Sequence, residues 1–126
     1  MLAMGGNTAP YMLYAYARIR SIFRKGGIEA PSASSVRLGA NEELTLAKHL
    51  LNYGIILEAV SEEYRPNFLC NYLYELAGKF TSFYEACPVL KAEPAIRESR
   101  LALADLAARV LKQGLATLGI ETLEQM

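Results

Sequence analysis

Apolar residues recur every three to four positions along most of this chain, and strand-type alternation is nearly absent, so the pattern predicts helices throughout. A first helix is expected from Asn7 or Thr8, either of which can cap free amide groups. Pro10 then falls in the first turn, where its missing N–H costs nothing, and the helix runs to about Lys25 and stops at Gly26-Gly27. Residues 28–40, rich in Pro, Ser, Ala and Gly, read as a long loop inside one domain. Asn41 is expected to cap a second helix whose first turn holds Glu42 and Glu43, with a bend or close approach at Gly54 and an end near Glu62–Tyr64. Pro66 opens a third helix with the stripe Leu69, Tyr72, Leu73, Leu76, Ala77, Phe80, Phe83 and Cys87, closed by Pro88. A fourth, about Ala95 to Leu118, carries Leu103, Leu106, Ala107, Val110, Leu111 and Leu118 before Gly119. The tail Ile120–Met126 folds back or hangs free. The expected fold is an all-α bundle of four to five helices in one domain spanning residues 1–126.

Composition agrees with a packed domain: 52% of the 126 residues are hydrophobic and 21% charged, which separates the chain from disordered and fibrous classes. No apolar run reaches the ~18–20 residues of a membrane span, and the N-terminus has no basic segment followed by an apolar one, so neither a membrane anchor nor a signal peptide is expected. Cys70 and Cys87 sit within apolar helical sequence without metal-type spacing, which suits buried thiols in a reducing cytoplasm. His49 stands alone, so no metal site is expected, and it reads as a surface or boundary residue.

Net charge is zero, which does not by itself suggest a nucleic-acid binder, but the charges are segregated. Residues 1–40 carry Arg18, Arg20, Arg24, Lys25 and Arg37 against Glu29, whereas residues 41–63 carry five glutamates against Lys48. The basic third coincides with an unusual first helix. Met12, Ala15, Tyr16, Ile19, Ile22 and Phe23 form one wide apolar face at roughly 100° per residue. Tyr11, Tyr14, Arg18, Ser21 and Lys25 share another face, while Arg20 and Arg24 flank the opposite edge. Aromatic rings beside guanidinium groups make a stacking platform with an electrostatic clamp, which suits unstacked bases and their phosphates. From the pattern alone the same tyrosines read first as packing under residues 26–41 or against the tail, ahead of nucleic-acid contact, with a protein-partner surface as the third alternative. Tyr74 and Tyr84 lie at the margins of the third helix. Glu42-Glu43 and Glu62-Glu63 diverge by about 100° as sequence neighbours on a helix, and are expected on solvated faces rather than as catalytic pairs. No phosphate-cradling loop and no nucleophile-plus-base arrangement occurs.

The run from Gly6 through Asn7-Thr8-Ala9-Pro10-Tyr11-Met12-Leu13-Tyr14-Ala15-Tyr16-Ala17-Arg18 to Ile22 resembles the opening of the arginyl-tRNA synthetase anticodon-binding domain, the DALR domain of class I aminoacyl-tRNA synthetases. The resemblance continues through Asn71-Tyr72-Leu73-Tyr74-Glu75-Leu76-Ala77, Phe80-Thr81-Ser82-Phe83-Tyr84, Arg100-Leu101-Ala102-Leu103 and Val110–Leu115 to the closing Glu124-Gln125-Met126. Only residues 26–41 and 88–98 are nondescript. The equivalent domain of a cysteinyl or related synthetase is the nearest alternative, and Asn7-Thr8-Ala9-Pro10-Tyr11 argues against it.

What the resemblance implies is specific. Tyr11, Tyr14 and Arg18 would face the anticodon stem and loop of an arginine tRNA. Tyr84 and Met126 would help form the pocket for splayed anticodon bases, with Asn7 and Arg20 as phosphate or helix-start contacts. Every arginine codon has a middle G, so the pocket would receive a cytosine. The parent would be a cytoplasmic, monomeric arginine–tRNA ligase that uses ATP and Mg²⁺. Its catalytic domain, marked by HIGH-like and KMSKS-like signatures, is not found here, so this piece is expected to be an excised, non-catalytic domain without cofactors. Its partners would be arginine tRNA and that catalytic domain, and no membrane. A helical protein-interaction module is the competing class, separated by whether the Tyr11/Tyr14/Arg18 face is open to solvent.

Overall fold

The computed structural model describes residues 8–27, 38–57, 66–120 and 122. Four helices follow one another among them: α1 (Thr8–Gly26), α2 (Asn41–Leu51), α3 (Pro66–Ala86) and α4 (Pro94–Thr117). Residues 53–57 are helical as well. The all-α bundle expected from periodicity is the fold observed. Helices α3 and α4 each pack against the other three, α3 the more extensively, so α3 is the central element. Its eight predicted core residues, Leu69 to Cys87, are all buried, and all six of α1 face them from the other side.

The helix ends have local causes. Gly27 adopts φ 65° just beyond α1, and Gly119 φ 85° just beyond α4, a left-handed region that side chains avoid. At Gly119 the Ile120 amide donates to the Leu115 carbonyl at 2.8 Å and the Gly119 amide to Ala116 at 2.9 Å, the paired bonds of a Schellman stop. Ile120 is thereby turned back onto the core.

Several expectations need correction. Asn41 does not cap α2; it is the first helical residue, and the cap position is Ala40, whose side chain has no acceptor. Glu43 does the work instead: its Oε1 accepts the amides of Ala40 at 2.8 Å and Gly39 at 3.1 Å. Glu43 is accordingly buried, 3% exposed, and not on a solvated face. Helix α2 breaks at Asn52 rather than at Gly54, whose Cα faces open space, and the expected end at residues 62–64 lies outside the described residues. His49 is buried rather than peripheral. Its imidazole stacks on Tyr72 (centroids 4.1 Å apart), its Nε2 donates to the Tyr72 carbonyl at 3.0 Å, and the Tyr72 hydroxyl returns a bond to the His49 carbonyl. Of the predicted α4 stripe, Leu103, Ala107, Val110 and Leu111 are buried and Leu118 packs partly against the core, but Leu106 is 46% exposed, because the buried face continues through Leu101, Ala104, Ala108, Leu111 and Leu115, centred about 180° from it around the helix.

Candidate functional site

One end of α1 and the following face of α3 converge on a groove. The Arg18 guanidinium stands over the faces of two rings, 5.4 Å from the centroid of Tyr14 and 5.5 Å from that of Tyr84. Tyr14 and Arg18 are one helical turn apart on α1, whereas Tyr84 comes from the last turn of α3, so packing of the two helices builds the cluster. Both tyrosines are open to water, Tyr14 at 58% and Tyr84 at 38%. Tyr84 in turn stacks on buried Phe80 (6.1 Å, 24°), which ties the exposed ring to the core. Tyr11, 38% exposed, lies a turn earlier and pairs with Tyr74 of α3 at 5.2 Å. The result is an aromatic strip across the α1–α3 seam with a cation set in it.

The groove has a volume of about 740 Å³ and is bounded by Tyr14, Arg18, Lys25 and Tyr84 on one side and by the turn Pro88–Lys91 on the other. That turn is pinned. Arg100 Nη1 donates to the Pro88 carbonyl at 2.6 Å, while its Nε donates to Glu43 Oε2 at 3.0 Å. Burial pushes the Glu43 carboxyl up, but the Ala40 amide, the Arg100 bond and charge and the Gly39 amide together hold it below its ordinary 4.5. Val89 anchors the turn in the core and the Ala92 amide closes it onto the Val89 carbonyl at 3.3 Å.

The structure thus brings Tyr14, Arg18 and Tyr84 into one cluster with Tyr11 beside it. Arg20 points elsewhere: its guanidinium lies over Phe23 and 3.9 Å from Asp105 of α4, which also binds Arg109 at 2.9 Å. Asn7 and Met126 lie outside the described residues. Sequence reasoning passed over the Pro88–Lys91 turn. Pro88 reads only as a helix stop, and nothing in periodicity reveals that the residues after it return beside α1. Among the described residues, no group of three or more His, Cys, Asp or Glu side chains is placed to hold a metal ion. No described helix is long and apolar enough to cross a membrane.

Chemically, the arrangement offers exposed π-faces, a guanidinium and a concave basic rim, which suits ring stacking and phosphate contact. Comparison with known proteins agrees. The family profile of the DALR anticodon binding domain matches residues 12–126. An arginine–tRNA ligase of Picosynechococcus sp. is 55% identical over 129 residues, covering all of this chain and 22% of that protein. One from Haemophilus ducreyi is 55% identical over 127 residues, covering all of the chain and 23% of its own length. Among solved structures, Thermus thermophilus arginyl-tRNA synthetase superposes with a TM-score of 0.84 at 37% identity, over 98% of this chain and 22% of the other. The chain therefore spans between a fifth and a quarter of the relatives it matches.

Proposed function

The chain belongs to the DALR anticodon-binding domain family, and from that premise we propose that it recognises the anticodon stem-loop of an arginine tRNA for a larger arginine–tRNA ligase. The observation that carries this reading is the Arg18 guanidinium set over two water-exposed tyrosines at the mouth of a groove. Sequence-specific RNA readers target unstacked loop bases, stack them on aromatic or guanidinium planes and read their edges by hydrogen bonds. Each base stacked on an aromatic contributes ~1–3 kcal/mol, and the cations add a salt-sensitive attraction for phosphate. Tyr14, Arg18 and Tyr84 are the residues we assign to the base, with Tyr11 extending the platform toward Tyr74.

In this reading the adenylation and transfer steps, with their ATP and Mg²⁺, belong to the part of the parent outside these residues. The residues here hold the tRNA. The openness of Tyr14 favours this over a role for the tyrosine strip as internal packing.

The test is a titration of an arginine anticodon stem-loop, and of one with the middle cytosine exchanged, at two salt concentrations. Preference for the cytosine and a steep fall of affinity with salt are expected. A Tyr14→Ala/Arg18→Ala variant with unchanged circular dichroism should lose most of both. Equal binding by that variant refutes the assignment of these side chains.

A further inference from the structure

The groove holds two cations that base stacking leaves unused. Besides the Tyr14–Arg18–Tyr84 cluster it is lined by Lys25, from the last turn of α1, and, across from it, by Lys91, from the turn after α3. Both ammonium groups are on exposed residues, and no carboxylate is paired with either among the described residues. Three arginines outside the groove behave otherwise: Arg20 and Arg109 share Asp105, and Arg100 is bound to Glu43. The groove thus gathers Arg18, Lys25 and Lys91 against the single carboxylate Glu85. The backbone leading to Lys91 is held by the Arg100 bond to Pro88 and by buried Val89. A cationic rim on a fixed wall, next to an aromatic platform, has the layout of a site for one nucleotide unit: ring on the platform, phosphate on the rim.

We propose that Lys25 and Lys91 together clamp the backbone phosphates adjoining the base that stacks at Tyr14, Arg18 and Tyr84, making the Pro88–Lys91 turn the second wall of the RNA site. The inference rests on the anticodon reading above and deepens it. Phosphate contacts fix register and carry no base information, so the clamp sets how the strand lies and leaves the choice of base to the platform.

The experiment is fluorescence anisotropy of the cytosine-containing and cytosine-exchanged stem-loops against the wild-type chain, Lys25→Gln/Lys91→Gln, and Lys112→Gln, across a salt series. Lys112 is an exposed lysine outside the groove and serves as the control. Each single-strand phosphate contact adds ~0.7 to the slope of log affinity against log salt. The double variant should therefore be shallower by about 1.4, removing roughly sevenfold of the weakening between about 50 and 200 mM salt. Its ratio of affinities for the two stem-loops should equal the wild type's, and Lys112→Gln should match the wild type throughout. An unchanged slope with the cytosine preference intact overturns the clamp alone. Absence of cytosine preference in the wild-type chain overturns the clamp together with the anticodon reading.

Discussion

Replacing Arg100 with Met removes a cation whose partner cannot follow it into water. Glu43 is 3% exposed and Oε2 has Arg100 Nε at 3.0 Å, while Oε1 keeps the Gly39 and Ala40 amides. Removing one member of a buried ion pair costs about 3–5 kcal/mol, because the remaining charge is left uncompensated. The two amides that stay place this case at the lower end, about 3 kcal/mol. Unfolding entropies of ~2.1 cal/mol/K per residue over a chain of this length make each kcal/mol worth about 4 °C, so Tm should drop by about 11 °C at pH 7. The pH dependence is the sharper test. Glu43 has a folded pKa below its ordinary 4.5, so its contribution is complete above 4.5 and is lost as pH falls through the folded value. In Arg100→Met, burial opposes ionisation with less to offset it, and protonation relieves the buried charge. The gap between variant and wild type should shrink steadily below pH 4.5. Urea unfolding followed by circular dichroism from pH 7 to 3 measures this. A gap under about 1 kcal/mol at pH 7, or one that stays constant down to pH 3, refutes the reasoning.

Further expectations follow from burial and packing. Burial lowers the pKa of His49 from 6.5 more than its bond to the Tyr72 carbonyl raises it, so wild-type stability should decline as pH falls below 6.5; His49→Gln should flatten that part of a pH–stability profile. A Cβ at Gly114 would lie 2.7 Å from both Leu73 methyls in a fully buried site, so overpacking should outweigh the roughly 1 kcal/mol of helix propensity gained by Gly114→Ala. Adding Leu73→Ala should cost less than the sum of the two single changes in chemical denaturation. Leu106→Ser should move unfolding free energy by no more than about 0.5 kcal/mol, whereas Leu111→Ala, at a fully buried position, should cost about 2–5 kcal/mol.

Periodicity reveals what a helix does alone, and its failures lie where a second helix decides. The faces of α1 and α3 are legible because each is a broad stripe of large apolar residues, and all of those expected inside are buried. In α4 the buried face extends through Ala104 and Ala108, small residues that let the helix approach closely but mark the face weakly, so Leu106, a large apolar residue on the far side, is read as part of it. His49 and Glu43 look like surface residues because their partners are distant: Tyr72 is 23 positions away and Arg100 is 57. The Tyr14–Arg18 half of the site is visible one turn apart on one helix. Tyr84 joins it only through family resemblance, and Lys91 through the path of the chain after Pro88.

Arg18 has a mechanical consequence besides its charge. Standing over both Tyr14 and Tyr84, it joins aromatic surfaces contributed by different helices. With the guanidinium seated there, the three side chains form one surface when the chain folds, and Phe80 stacked on Tyr84 ties it to the core. For the base proposed to stack there, much of the ordering of the site is thus complete before it arrives.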